Sequence, residues 1–336
     1  MNNTSQNNKA QNNVSSPPNN ARAVIINVDD LGLSHAVNKA VIRLAERGII
    51  GASSYMVGGN ISDSDITKLA EMNVDIGLHL DLTGVYPSTL SATLKSLIIA
   101  SYLRRLKPMQ VTEVIQHQLD SFEDKFNRAP AFIDGHQHIH QFPIIRERLI
   151  QELTSRYGSS NDKANKSSHH AISARVTTPL VNDFKSWVIY SLGGRVWNKL
   201  CRQHNIATND KFGGVYGFDV TSQQLAALWD KWLSAAPRTR YLQPGLYIES
   251  FTFESSGTYA QYGSTTPPIH SVPLSLPRDV TTTLLMCHPA VPDNSWQDEI
   301  KGAREREFAW LMSNQFEDLL QQQQVRLVRW SDIVAM

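Results

Sequence analysis

The stretch "AVIINVDDLGLSHAVNKAV", Ala23 to Val41, limits the possible folds more than any other part of the chain. Ala23–Val28 is an apolar run rich in β-branched residues, as expected of a strand buried on both faces. Ser34 then suits a helix N-cap. Ala36, Val37, Ala40, Val41, Leu44 and Ala45 recur at helical spacing, and Gly48 suits the helix end. The opening therefore reads strand, acidic turn, helix. The alternation continues: "GASSYMV", Val74–Leu80, Ala131–His140, Ala171–Val176, "LYIESF", Thr281–His288 and "VRLVRW" read as strands. Asp63–Met72, Ser88–Phe126 with a break at Pro108, Pro143–Tyr157 and Gly302–Gln323 read as helices. Such alternation predicts an α/β fold with a largely parallel sheet. No repeat of fixed period accompanies it.

Composition narrows the classes. The 336 residues are 41% hydrophobic and 19% charged, enough for a sizeable core. The 32 Lys and Arg against 31 Asp and Glu leave a net charge of +1. That balance gives no electrostatic reason to expect nucleic acid or a membrane as partner. The nearest approach to a spanning stretch, "SLIIASYL", is too short. Cys201 and Cys287 lack CxxC spacing and read as small buried hydrophobes. Residues 1–20, rich in Asn, Ser and Gln, read as a disordered tail before one domain over 21–336. They lack the features of a signal or transit peptide, so a soluble cytoplasmic protein is expected. Gly158–His170 reads as an exposed polar loop, and Phe251–Pro277 as a long loop or insertion beside the site.

Polar residues collect where the strands end. Asp29 and Asp30 follow one strand, His79 a second, His136, His138 and His140 a third, and His288 a fourth. Active sites of α/β barrels and open α/β sheets gather at the carboxyl ends of the strands. Singly, the aspartates also suit a turn and each histidine suits the surface or the core. Four strand ends together favour a site. In an extended segment His136, His138 and His140 would share one face. One carboxylate and two imidazoles can hold a divalent cation with positions open for water and substrate. The cation lowers the pKa of its water, and a second carboxylate can take the proton. Spacing alone leaves open which aspartate does which.

At these motifs the chain resembles the YdjC-like carbohydrate deacetylases, which include chito-oligosaccharide deacetylases. The resemblance rests on "IINVDDLGLSHAVNKAV", "DIGLHLDLTG", "FIDGHQHIHQFP" and "LLMCHPAVPD", in that order. It is similar, more distantly, to the wider polysaccharide deacetylase group. What the resemblance implies is an irregular, TIM-barrel-like (β/α) barrel that removes the acetyl group from an N-acetylated sugar. It implies one divalent metal, Mg2+ or Zn2+, held by Asp30, His79 and His136, with Asp29 as base and His288 as general acid. Asp134, His138, His140 and Arg175 would then lie behind the ligands or against the substrate. Related enzymes often carry Arg-x-Pro after the third active-site strand; here the segment reads Arg175-Val-Thr-Thr-Pro179. Trp296, Tyr259 and Tyr262 could stack on sugar rings or pack their loop. The expected partner is a small carbohydrate, with neither nucleic acid nor membrane, and the chain as a homodimer.

Rival readings differ in testable ways. His79-Leu80-Asp81 with a distant His could form the facial triad of a non-haem iron oxygenase. That motif is expected on an all-β scaffold, against the alternation here. His138-Ile139-His140 could be the ligand pair of another amidohydrolase, which leaves Asp29 and Asp30 unexplained. An inactive sugar-binding protein would keep the scaffold without the chemistry.

Overall fold

The computed structural model describes residues 20–158, 172–240, 242, 276 and 280–333. Strand β1 (Asn20–Leu31) is its axis. Val24, Ile26 and Val28 face a large apolar cluster shared with the helices. Ala23 and Ile25 face a smaller cluster of strand side chains, among them Phe132, Phe212, Leu284 and Met286. β1 is therefore buried on both faces, the period-two reason for its unbroken apolar run.

The chain continues through α1 (His35–Glu46), β2 (Ala52–Tyr55), α2 (Asp63–Glu71), β3 (Asp75–Leu80), α3 (Leu94–Tyr102), α4 (Pro108–Phe126) and β4 (Phe132–Gly135). A 3-10 turn (His136–Gln141), α5 (Ile145–Tyr157), β5 (Ser173–Ala174), α6 (Phe184–Ile189), a π turn (Tyr190–Gly194) and α7 (Arg195–Gln203) follow. Last come β6 (Ala207–Thr208), β7 (Lys211–Gly213), α8 (Ser222–Ala235), β8 (Thr239–Arg240), β9 (Thr282–Cys287), α9 (Lys301–Leu311), α10 (Asn314–Gln322) and β10 (Val325–Leu327).

Eight strands form a parallel sheet in the order β6-β5-β4-β3-β2-β1-β9-β7. β10 pairs with the start of β1 on the edge that β2 takes further along, and β8 pairs antiparallel with Asn20 and Ala21. The sheet curls back on itself. Beyond β5, Thr178 O accepts from Phe212 N of β7 (2.8 Å), and Phe212 O from Leu180 N (2.9 Å). The result is an α/β barrel-like fold: a curled half-barrel with helices around it. Inside, Phe132 stacks on Trp330 at 4.8 Å. Gly77 is required there, because a Cβ would meet the Phe132 ring at 2.5 Å.

Local signals explain most elements. Ser34 Oγ accepts from Val37 N and caps α1, whose Ala36, Val37, Ala40 and Val41 are buried. Pro108 opens α4 rather than interrupting a longer helix. The single helix expected over Gly302–Gln323 is two, because Ser313 Oγ accepts from Phe316 N and starts α10. Residues 177–240, unassigned from sequence, hold α6, the π turn, α7, β6, β7, α8 and β8. Asn20, expected in the tail, already pairs in β1. Residues 1–19, the "LYIESF" segment, residues 159–170 and, apart from Leu276, residues 251–277 lie outside the described residues. No described helix is long and apolar enough to cross a membrane. Both cysteines are buried.

Candidate active site

Neighbouring strand residues point to opposite faces, so two adjacent carboxylates should diverge. Ala23, Ile25 and Asn27 set the inner face of β1, and Asp29 continues it. Asp30 would turn outward. Instead the pairing of β1 with β2 shifts register between Val28 and Leu31, and Asp30 takes φ +69°. This irregularity re-aims one side chain, as β-bulges beside active sites do. Aspartate tolerates the left-handed region better than most residues. Both carboxylates end up buried at the open end of the barrel.

Asp30 Oδ1 lies 3.4 Å from His79 Nε2 on β3 and 3.2 Å from His136 Nδ1 just after β4. The two rings meet edge to face at 5.5 Å. His79 Nδ1 lies 2.6 Å from Asp134 Oδ1. A carboxylate only accepts, so that nitrogen carries the hydrogen, and in the neutral ring the Nε2 lone pair faces Asp30. Asp30, His79 and His136 thus offer one oxygen and two nitrogens within 4.8 Å of one another, a donor set that fits a divalent cation. Burial lowers the His79 pKa, but Asp134 outweighs it and raises it to about 10. A cation bound here therefore displaces a proton from His79. Burial would raise the Asp30 carboxyl. Arg304, whose guanidinium lies 2.7 Å from Oδ2, and the two imidazoles outweigh that and hold it well below the usual range.

Asp29 faces different partners. Arg175, fully buried beyond β5, donates from both terminal nitrogens to Asp29 Oδ2 (2.7 Å) and Oδ1 (2.5 Å). The same guanidinium lies 2.5 Å from Asp134 Oδ2. Asn27 Nδ2 donates to Asp29 Oδ1 at 2.8 Å. Burial would raise the Asp29 carboxyl, but Arg175 outweighs it and holds it below the carboxylate range. Asp29, His79 and Asp134 also converge within 4.8 Å, but Arg175 already occupies both carboxylates. A cation there would meet Arg175 on both Asp29 oxygens, whereas Arg304 at Asp30 leaves Oδ1 to the imidazoles. His288, after β9, places Nε2 3.9 Å from Asp29 Oδ2. Its ring meets Phe218 edge-on, and its backbone N–H donates to Glu307. Tyr216 Oη also donates to Glu307 (2.5 Å).

The other candidates separate. The His136–Gln141 turn is not extended: Gln137 and His138 take φ +53° and +60°. His138 therefore departs from the extended pattern, and meets Phe212 edge-on where it lines the same cavity as His136. His140 turns away, its Nε2 3.2 Å from Arg175 O, which also accepts from Trp197 Nε1. The amidohydrolase ligand pair is not assembled. Neither is the iron triad, because Asp81 accepts from Thr83 N and Tyr86 N, each at 2.7 Å, and caps its own loop. Trp296 lies over the Arg304 guanidinium at 5.8 Å. Tyr259 and Tyr262 lie outside the described residues. Sequence reasoning missed Arg304, Glu307 and Tyr216. The available signal was spacing: Arg304 and Glu307 share the buried stripe of α9 with Ala303, Phe308 and Leu311.

The buried His138 and His140 carry a pH prediction. Burial, reinforced by Arg175, lowers the His138 pKa to about 3, and burial drives His140 well below its ordinary value. A neutral buried His stabilises the fold fully above its unfolded pKa of about 6.5, and that stability is lost as pH falls below it. Acidification from about pH 7 to about pH 5 should remove about 2 kcal/mol through His138 alone. Denaturant unfolding of His138→Gln should show that much less acid sensitivity than the parent.

Asp29, Asp30, His79, His136 and His288 line a cavity of about 610 Å³, walled by Phe184, Val188 and Phe218. A solved structure from Enterococcus faecalis V583, described as a proposed cellobiose-phosphate cleavage protein, superposes on 94% of this chain and 100% of its own, with TM-score 0.58 and 14% identity. At that identity the likeness concerns fold alone. A chitooligosaccharide deacetylase from Enterobacter sp. (strain 638) is 25% identical over 167 residues, 47% of this chain. The match spans 66% of that protein's length. The YdjC-like protein family model matches residues 23–322, which include both aspartates, the four histidines that line the cavity, and Arg175 and Arg304; the chain belongs to the YdjC-like family.

Proposed function

We propose that the protein is a metal-dependent hydrolase that removes the acetyl group from an N-acetylated sugar. The observation that carries this reading is the division of partners at the end of β1. Asp30 turns Oδ1 to two imidazoles while Arg304 holds only Oδ2, whereas both oxygens of Asp29 are held by Arg175, with His288 beside Oδ2. The family and the chitooligosaccharide deacetylase relative support the same reading. Asp30, His79 and His136 would hold one divalent ion, Mg2+ or Zn2+. Such an ion supplies Lewis acidity, polarising the acetamide carbonyl and making water a stronger nucleophile.

The chain's own residues do the rest. Asp29, kept ionised by Arg175, accepts the proton of the attacking water at Oδ2, the oxygen nearer His288. His288 delivers a proton from Nε2 to the amine nitrogen as the C–N bond breaks, giving acetate and an amino sugar. Glu307 anchors the His288 backbone and Phe218 backs its ring, which fixes that nitrogen toward the cavity. Acetate release from N-acetylglucosamine oligomers tests the reading. Release should stop with chelator and return on adding back a divalent ion. Release indifferent to chelation would overturn the metal role.

A further inference from the structure

Among the described residues, the large hydrophobic side chains that stand exposed fall in two segments. Ile99, Tyr102, Leu103 and Met109 lie on α3 and the start of α4. Phe184, Trp187, Val188 and Val196 lie on α6 and the start of α7. Phe184 is 84% exposed and Met109 74%. Single exposed apolar groups are ordinary, but their confinement to two segments marks an interaction surface.

The same segments are one-sided in charge. Residues 94–109 contain Lys95, Arg104, Arg105 and Lys107 and no carboxylate. Residues 184–203 contain Lys185, Arg195, Lys199 and Arg202 and no carboxylate. All these cations are exposed. Of them, only Arg104 has an ion-pair partner among the described residues, Glu147 at 3.7 Å. The chain as a whole carries +1, so positive charge is concentrated here rather than spread.

Topology puts both segments on one rim. α3 and α4 follow the carboxyl end of β3, and α6 and α7 follow that of β5. Both flank the His136–Gln141 turn beyond β4, against which α3 and the π turn pack. This is the open end of the barrel, where Asp29 and Asp30 lie. Phe184, Lys185 and Val188 belong to the rim and to the cavity wall at once.

We infer that this rim docks on an anionic lipid surface, with the apolar side chains entering the headgroup layer and the cations on lipid phosphates. Helices that lie in a membrane interface pair Trp, Phe and Leu with Lys and Arg in this way. Long Lys and Arg side chains can keep their charges in the headgroups while their stems follow the apolar surface. A twofold contact between two copies fits less well, since it would set the same cations against one another. A nucleic acid would use the cations but give Met109, Val188 and Val196 no apolar environment. Chain-average charge hides this face, which is why composition gives no hint of a membrane.

Co-sedimentation of the full chain with vesicles tests the inference without reference to catalysis. The chain should bind phosphatidylglycerol–phosphatidylcholine vesicles, release in high salt, and ignore pure phosphatidylcholine. Arg195→Glu with Lys199→Glu should lower the partition coefficient at least about tenfold, since each basic residue contributes near an anionic surface. Trp187→Ser with Val196→Ser should do the same at unchanged salt dependence. Lys39→Glu with Lys68→Glu, exposed on α1 and α2, should leave binding within about twofold, because these charges lie outside the rim. Unchanged thermal midpoints establish that the variants fold. If only the serine pair misfolds, the charge pair decides. Absence of vesicle binding, equal binding by the charge-reversal pair, binding to RNA but not vesicles, or a dimer dissolved by the rim substitutions would each overturn the proposal.

Discussion

Asp29→Asn is expected to lower kcat for acetate release by roughly 10³-fold, within the range general bases contribute. Asparagine keeps the shape of the side chain but cannot accept the proton of water. Cation affinity should change little, because Asp29 is not one of the three groups around Asp30 Oδ1. Arg175 also keeps a partner in the variant, Asp134 at 2.5 Å. Steady-state acetate release and titration calorimetry with a divalent ion separate the two effects. Turnover near the parent's would remove Asp29 as the base. Lost cation binding would put it among the ligands instead.

Much of this site is legible in the sequence because strong local patterns place it. The apolar run of β1 and the capped, periodic α1 fix the turn that carries Asp29 and Asp30. His79 and His136 sit at the ends of β3 and β4, so parallel pairing brings both to the same end of the sheet as the aspartates. Three features are not legible. The left-handed Asp30 depends on a register shift between β1 and β2 across the intervening helix, which no local propensity reports. The His136–Gln141 turn breaks the alternation that would put His136, His138 and His140 on one face. β6 is two residues long, too short for a period, and is held by its neighbour β5 rather than by pattern. Arg304 fails for another reason. In "AREREF" it looks like solvated helix charge, and only the barrel turns it onto Asp30.

At Arg175 the sequence departs from the expected motif, with Val-Thr-Thr-Pro in place of the shorter pattern. It has the largest expected stability effect. Arg175→Met should destabilise the protein by about 3–5 kcal/mol, the usual consequence of stranding a buried charge. Here two carboxylates, Asp29 and Asp134, would lose the same guanidinium. The methionine can fill much of the volume, so the deficit should be electrostatic rather than a packing loss. pH separates the two. With Arg175 present, the folded Asp29 carboxyl sits below its unfolded value, so it stabilises at neutral pH and loses that contribution on acidification. Without Arg175, burial dominates and the folded carboxyl rises above the unfolded value. The sign then reverses: the carboxylate destabilises at neutral pH, and protonation on acidification relieves it. Denaturant unfolding of parent and variant, compared at each pH from about 7 to about 5, should show the deficit shrinking. Because Arg175 reinforces the lowering of His138, parent and variant are both compared on a His138→Gln background, which removes that acid loss from each. A deficit that stays constant with pH would mean that Arg175 acts by filling space, and the charge pairing of Asp29 would then lose its energetic basis.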